Sequence, residues 1–188
     1  MSNEAPAQDE HRLIIAGFGG QGVLTLGKLL CQAGLAEGRN VTYLPSYGSE
    51  VRGGTANCQV VISPDPIYSP LVETADSLVV LNELSYERFV GTIRPDGLLL
   101  VNTSTVAMDA VSKPDGVRLV EVPATAMAGE LGDFRAANVI MFGAFARASG
   151  LVGEDSCRDA VTALLGARSA RLAELNVQAF QRGADRVT

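Results

Sequence analysis

An apolar run that breaks into glycines constrains this chain more than any other feature. Residues 13–16 are apolar (LIIA), and the segment Gly17–Gly22 (GFGGQG) follows them directly. This order is typical of a buried parallel strand, a turn too tight for side chains and the start of a helix. Glycines allow positive φ angles and bring backbone N–H groups close to a guest. Because a helix start also carries partial positive charge, the expected guest is an anion.

Predicted strands and helices alternate along the rest of the chain. The first strand is expected at about 12–16 and the first helix at about 21–37. Further strands are expected at 41–44 (closed by Pro45), 55–63, 77–81, 98–101 and 117–122, and further helices at 85–92, 137–148, 157–165 and 171–185. Alternation of this kind predicts a single Rossmann-like α/β domain, with a mainly parallel sheet and helices on both faces.

Composition narrows the class of protein. The chain has 188 residues, 47% of them hydrophobic, which suffices for one substantial core. Its formal net charge of −6 argues against a general nucleic-acid surface. Residues 1–11 are expected to be a flexible tail without signal-peptide character, and residues 12–188 the single domain. Since no apolar run is long enough to span a bilayer, a cytoplasmic protein without membrane contact is predicted.

The cysteines and the single histidine limit the possible metal and catalytic sites. Cys31, Cys58 and Cys157 are scattered and match no metal-ligand spacing, so we expect reduced thiols packed as small apolar groups. His11 is the only histidine, at the edge of the tail. Zinc sites and Ser-His-Asp catalysis within this chain are therefore poorly supported, and no metal site is predicted.

Two nucleotide-binding motifs fit the glycine segment only in part. Gly17–Gly22 satisfies G-x-G-x-x-G, but a dinucleotide site also needs an acidic residue near the end of the second strand. Positions 44–47 (LPSY) offer none, and Glu50 comes later, within a glycine-rich loop. Gly22–Lys28 has phosphate-loop spacing, but Leu29 stands where a magnesium-binding hydroxyl is required. A nucleotide-dependent dehydrogenase nevertheless remains the enzyme alternative.

A polar loop at 46–54 (SYGSEVRGG) is the second notable segment. Tyr47, Glu50 and Arg52 are large polar residues on a glycine-rich backbone. The loop is either an ordinary solvated loop or one in which Arg52, oriented by Glu50, meets a carboxylate or phosphate. Asn138 is interpreted first as a helix cap. Asn82, which follows an apolar strand, could either cap a helix or line the rim, that is, the edge of the sheet at the carboxyl ends of its strands.

Both segments together resemble the gamma subunit of the 2-oxoacid:ferredoxin oxidoreductases. The resemblance rests on Gly17–Gly22, on residues 46–58 (SYGSEVRGGTANC) and on Asn138, and it extends from about Arg12 to the last helix. It implies a subunit of a complex that converts a 2-oxoacid and coenzyme A into acyl-CoA and carbon dioxide, with electrons passing to ferredoxin. The isolated chain is expected to be inactive.

The resemblance also implies cofactors and partners. Thiamine diphosphate, magnesium and iron–sulfur clusters are expected in alpha and beta subunits, and a ferredoxin-like delta subunit is a further possible partner. The sequence agrees, because Gly132-Asp133 continues into Phe134 rather than into a Gly-Asp-Gly signature. Three separate cysteines are also too few for a four-iron cluster. A purely structural assembly module remains the third interpretation.

The same likeness implies that part of this chain walls the active-site cleft of the complex, beside coenzyme A. No residue of this chain is expected to be catalytic by itself. The residues expected at the cleft are Gly17, Gly19, Gly20, Gln21, Gly22, Ser46, Tyr47, Glu50, Arg52, Gly53, Gly54, Asn82 and Asn138. Residues 46–57 look closest to enzymes for 2-oxoglutarate or branched 2-oxoacids. We rank 2-oxoglutarate first, with ketoisovalerate, pyruvate and indolepyruvate as alternatives.

Overall fold

The computed structural model describes residues 10–47, 55–166 and 169–187. Six strands in these ranges form one sheet: β1 (His11–Phe18), β2 (Asn40–Tyr47), β3 (Thr55–Ser63), β4 (Ala75–Val80), β5 (Ile93–Asn102) and β6 (Arg118–Val122). The helices are α1 (Val23–Ala36), α2 (Glu83–Phe89), α3 (Ala124–Glu130), α4 (Ala137–Ser149), α5 (Glu154–Leu165) and α6 (Ala170–Asp185).

The sheet is mixed but mostly parallel, in the order β2-β3-β1-β4-β5-β6. The pairs β1–β4, β4–β5 and β5–β6 are parallel, whereas β3 runs antiparallel to both β1 and β2. Only residues 48–54 separate β2 from β3, and a connection this short is compatible with antiparallel neighbours but not with a parallel crossover. The α/β class and the mainly parallel sheet predicted from the sequence are confirmed.

Helices cover both faces of the sheet, but unevenly. One face packs against α1, α3, α4, α5 and α6 around a large apolar cluster that includes Leu26, Phe142 and Phe180. The other face packs mainly against α2 through Tyr86 and against the irregular segment around Val106. Strands β1 and β4 are therefore buried on both sides, which explains their near-continuous apolar sequences.

Several predicted boundaries are wrong for identifiable reasons. Pro45 lies inside β2 rather than closing it, which is tolerated because β2 is an edge strand with one unpaired side. The strand predicted at 98–101 is longer, because β5 already begins at Ile93 and includes an irregularity where Asp96 has a φ of 61°. Helix α3 was not predicted. Of the predicted tail, residues 1–9 lie outside the described residues, and His11 is already the first residue of β1.

Within the helix layer, the backbones of α4 and α6 cross at an unusually short distance. A Cβ added to Gly143 would collide with the carbonyl oxygen of Phe180, and one added to Gly183 would collide with that of Ile140. Only residues without a side chain allow the two backbones to approach this closely. Within the described ranges, no helix is both long and apolar enough to cross a membrane.

Candidate functional site

The polar residues singled out in the sequence meet at the carboxyl edge of the sheet. Ala16 of β1 pairs with Val80 of β4, and Val80 pairs with Val101 of β5, so these three strands end side by side. The glycine turn (residues 17–22) follows β1 and Asn82 follows β4. In open α/β sheets this edge, where connections leave in opposite directions, is the usual place for a functional crevice.

Gln21 joins the ends of β1 and β4. Its Oε1 accepts hydrogen bonds from the backbone N–H of Phe18, at 2.7 Å, and from Nδ2 of Asn82, at 2.9 Å. Its Nε2 donates to the carbonyl oxygen of Leu81, at 2.8 Å. The carboxamide thus supplies both a donor and an acceptor, whereas a carboxylate of the same shape could only accept.

Two further hydrogen bonds extend this network toward β5 and α2. Thr105 Oγ1 donates to the carbonyl oxygen of Leu81 at 2.8 Å, so that one carbonyl accepts from both Gln21 and Thr105. Asn82 Oδ1 accepts from the backbone N–H of Ser85 at 2.9 Å and caps α2. Asn82 therefore does both things that the sequence left open: it caps a helix and it belongs to the rim.

The positions in the turn require glycine for different structural reasons. A Cβ on Gly17 would lie 2.7 Å from Val23 Cγ2 and 2.9 Å from Leu81 Cβ, so close packing requires glycine there. Gly20 and Gly22 have φ angles of 93° and 79°. Gly19 and Gly20 are exposed at the tip of the turn. Packing thus accounts for Gly17, and backbone conformation accounts for Gly20 and Gly22.

Asn138 contacts the same turn from α4. Its Nδ2 donates to the carbonyl oxygen of Gly22 at 3.3 Å, and a Cβ on Gly22 would overlap its carboxamide. The residue is only 6% exposed. It does not cap α4, because Ala136 holds the N-cap position and a short 3-10 turn, capped by Asp133, precedes the helix. The helix-cap interpretation of Asn138 is therefore wrong.

Of the polar loop at 46–54, the structure describes Ser46 and Tyr47, and it resumes at Thr55 directly after the loop. Ser46 and Tyr47 end β2, Thr55 begins β3 opposite Phe18, and both flanks thus lie at the same edge as the glycine turn. Arg88 of α2 donates to Thr55 Oγ1 at 3.1 Å. Glu50, Arg52, Gly53 and Gly54, which the sequence also places at the cleft, lie outside the described residues.

The positions of Gln21 and of helix α1 argue against both nucleotide-binding motifs. In a Rossmann fold the pyrophosphate lies between the first strand and its neighbour across the switch point. Here the ends of β1 and β4 are bridged at that point by the Gln21 carboxamide. The phosphate-loop interpretation fails because Val23–Ala36 is helical and includes Gly27 and Lys28. Lys28 is exposed on α1.

The cysteines are free thiols within the apolar interior. Cys58 and Cys157 are buried and Cys31 is half-buried, as the sequence predicted. Burial raises the pKa of each thiol to about 12, since desolvation disfavours the thiolate. In the described ranges no three His, Cys, Asp or Glu residues are grouped as metal ligands. These residues do not fit an iron–sulfur cluster, which needs more thiolates than the chain has.

His11 lies at the opposite, amino edge of the sheet. Its Nε2 is 2.9 Å from Ser77 Oγ, but Ser77 is completely buried in β4 and cannot reach a substrate. Burial is the main cause that lowers the pKa of His11, against the opposing effect of Asp76. The pair belongs to the packing of the sheet.

Sequence reasoning missed the residues on the β5 side of the rim. Asn102 is almost fully buried, donates to Thr125 Oγ1 at 2.9 Å and accepts from the backbone N–H of Ser104 at 3.2 Å. Thr105 reaches Leu81 from the same loop. The polar run 102–105 (NTST) directly after an apolar strand was the available signal, because it occupies the same position as Asn82 after β4.

The family model for pyruvate ferredoxin/flavodoxin oxidoreductase matches residues 12–186, which is almost the whole described domain. The chain belongs to this family. The resemblance drawn from the glycine turn and the 46–58 segment is thereby confirmed at the level of the family.

Relatives in this family differ in length, and their names give different substrates. The chain is 42% identical over 182 residues to ketoisovalerate oxidoreductase subunit VorA of Methanothermobacter marburgensis, covering 96% of this chain and 37% of the relative. It is 33% identical over 171 residues to 2-oxoglutarate synthase subunit KorC of Methanocaldococcus jannaschii, covering 90% and 89%. The chain therefore spans about 37% of the length of its VorA relative.

A solved structure supports the fold. The chain matches, with a TM-score of 0.87 and 23% sequence identity, the 2-oxoglutarate:ferredoxin oxidoreductase from Magnetococcus marinus with 2-oxoglutarate, coenzyme A and succinyl-CoA bound. The match covers 96% of this chain and 32% of that chain. The six-stranded domain described above thus also occurs as one part of a larger polypeptide.

Proposed function

We propose that this chain is the gamma subunit of a 2-oxoacid:ferredoxin oxidoreductase. The observation that carries the proposal is the family match over residues 12–186, in a chain whose distinctive polar segments meet at one edge of the sheet. The subunit would support coenzyme A-dependent oxidative decarboxylation of a 2-oxoacid to an acyl-CoA. Chemistry on the 2-oxoacid would be carried out by partner chains, because the described residues of this chain offer no catalytic cluster.

The rim would serve as a stiff support for the 46–54 loop. Gln21, Asn82 and Thr105 tie the ends of β1 and β4 to the following segments, and their hydrogen bonds leave the turn little freedom. Both flanks of the loop lie at this edge. A phosphate of coenzyme A, or a carboxylate, is a suitable ligand for Arg52, with Glu50 orienting the guanidinium.

Partners and cofactors follow from the same proposal. Alpha and beta subunits would bind thiamine diphosphate with magnesium, iron–sulfur clusters would lie in partner chains, and ferredoxin would accept the electrons. Coenzyme A would be the co-substrate at the shared cleft. A ferredoxin-like delta subunit is a further proposed partner.

The substrate has two candidates. The 46–57 segment is similar to enzymes for 2-oxoglutarate or branched 2-oxoacids, and we rank 2-oxoglutarate first, which is also the substrate class in the name of the KorC relative. The higher identity to the VorA relative favours ketoisovalerate. Measuring kcat/KM of the assembled complex for 2-oxoglutarate, ketoisovalerate and pyruvate decides between them. Preference for pyruvate by tenfold or more would contradict both, at roughly 1.4 kcal/mol per factor of ten.

The proposed role of the loop is tested in the assembled complex. Arg52→Ala should lower kcat/KM for coenzyme A by about tenfold or more, because a charge-assisted hydrogen bond is lost, while assembly stays intact. Arg39→Ala is the matched control, since Arg39 precedes β2 at the other end of that strand. Unchanged turnover in the Arg52 variant would instead support a purely structural assembly module.

A further inference from the structure

Side chains, rather than backbone pairing, hold the start of β1 against β4. The parallel ladder between these strands begins at Leu13 and Ser77, so the two preceding residues of β1 need other contacts on that side. Nε2 of His11 is hydrogen-bonded, at 2.9 Å, to Oγ of Ser77, which is completely buried. The backbone N–H of Arg12 donates to Oδ2 of Asp76 at 2.6 Å. These two bonds fix the amino end of β1 in the sheet.

The same cluster reaches two further parts of the chain. Asp76 also forms an ion pair with Arg94 of β5, whose Nε lies 2.9 Å from Oδ1. Nη1 of Arg12 donates to the carbonyl oxygen of Leu71 at 2.7 Å. The start of β1 is therefore linked to β4, to β5 and to the irregular segment between β3 and β4, which packs on one face of the sheet.

The surroundings of His11 favour a neutral imidazole. The charged groups that act on it from the neighbouring strands are Asp76, which attracts a proton, and Arg94, which repels one. Asp76 already pairs with Arg94 and with the Arg12 backbone, so part of its charge is compensated. On the strand of His11 itself, Glu10 and Arg12 form an ion pair with each other. Burial is the largest effect, and it lowers the pKa of His11 from its ordinary value of 6.5.

Protonation of His11 also changes its hydrogen bond to Ser77. A neutral imidazole can accept on Nε2 from the Ser77 hydroxyl, whereas a protonated ring carries donors on both nitrogens. His11 is the only histidine of the chain, and burial raises the pKa of all three thiols to about 12. His11 is therefore the side chain expected to change its charge between about pH 5 and pH 8.

We propose that His11 is an acid-sensitive switch at the amino edge of the sheet, opposite the candidate site. While the imidazole is neutral, the start of β1 stays bound to β4 and holds the segment around Leu71. Protonation releases residues 10–12 and loosens that segment. Because the unfolded chain binds this proton more readily, the stabilisation is complete above about pH 6.5 and is lost as the pH falls through the lowered pKa of folded His11.

Proton NMR of the full chain measures the pKa of His11 directly, because the chain has a single imidazole. We expect a value below 6.5. Hydrogen-exchange protection should be followed at the amides of Arg12 and Val72, which donate to Asp76 and Gln59. Corrected for the intrinsic exchange rate, protection of both amides should fall between about pH 7 and pH 5.

Two variants separate the switch from general acid sensitivity. His11→Gln keeps a donor and an acceptor for Ser77 but cannot titrate, so protection at Arg12 and Val72 should no longer depend on pH in this range. Arg94→Gln should raise the pKa of His11, because it removes a repelling charge and frees Asp76 to attract the proton.

Arg186→Gln, at an exposed arginine after α6, is the matched control and should leave the pKa of His11 unchanged. A His11 pKa at or above 6.5, an equal loss of protection in the His11→Gln variant, or an unchanged pKa in the Arg94→Gln variant would each overturn the proposal. The NMR titration of the unaltered chain decides the matter even where a variant does not fold. The proposed function is decided separately, by turnover of the assembled complex.

Discussion

Gln21 carries more of the candidate site than any other described residue. Its carboxamide joins β1, β4 and Asn82, and the carbonyl oxygen to which it donates also accepts from Thr105. From the sequence, Gln21 was singled out as one residue of the Gly17–Gly22 motif and of the expected cleft, but without a role of its own. Its role could not be derived from that motif, because it depends on Leu81, which lies 60 residues away in sequence.

Replacing Gln21 with glutamate tests this network. The carboxylate can still accept from Phe18 and Asn82, but it places a second acceptor against the Leu81 carbonyl oxygen. We expect a loss of about 1–3 kcal/mol in the free energy of unfolding, measured by urea titration. Gln32→Glu, on the exposed face of α1, is the control and should change stability by less than about 0.5 kcal/mol. Equal effects of the two changes would contradict the assigned role.

The thiols give a prediction that depends on pH. With pKa values raised from 9.0 to about 12, Cys31, Cys58 and Cys157 stay protonated in the folded chain while unfolded thiols ionise. Their contribution to stability is therefore complete below about pH 9 and is lost as the pH rises toward 12. Thiol titration at pH 8 should be slow in the native protein and rapid in denaturant. Rapid labelling of the native chain would contradict this burial.

Most strands and helices were predictable from the sequence, but which strands lie side by side in the sheet was not. The run 55–63 was predicted as a strand with its observed bounds. Its antiparallel direction to β2 follows from the short connection, residues 48–54, because a parallel crossover needs about a dozen residues or more. The expectation of alternation obscured this signal. Helix α3 was missed because it is only seven residues long and has no side-chain cap.

The crossing of α4 and α6 provides the sharpest prediction at this scale. Gly143→Ala would place a methyl group against the Phe180 carbonyl oxygen, which the backbone of α6 holds in place. Although alanine normally favours a helix over glycine, we expect a loss of at least about 3 kcal/mol in the free energy of unfolding.

Gly91→Ala is the control for that change. No heavy atom outside its own neighbourhood lies within 4 Å of a Cβ at Gly91, so the substitution should be neutral within about 0.5 kcal/mol. Chemical denaturation of both variants makes the comparison. Similar stability of the Gly143 variant and the wild type would mean that the two helices are farther apart than described.

In the molecule as a whole, the described domain provides a rigid support, and the proposed chemistry belongs to partner chains. The sheet, the Gln21 network and the close α4–α6 crossing hold one polar edge in a fixed shape. The sequence predicted which residues belong to that edge through the glycine turn and Asn82. It could not predict that Asn138 contacts the glycine turn, because α4 reaches Gly22 only through helix packing.

Turnover of a 2-oxoacid, with coenzyme A and ferredoxin present, shows whether this chain serves the chemistry of partner chains. It should be measured for this chain alone, for its partner chains alone and for the assembled complex. We predict acyl-CoA formation by the complex, none by this chain alone and a strongly reduced rate by the partners alone. Turnover by the isolated chain, or full activity of the partners without it, would contradict the account.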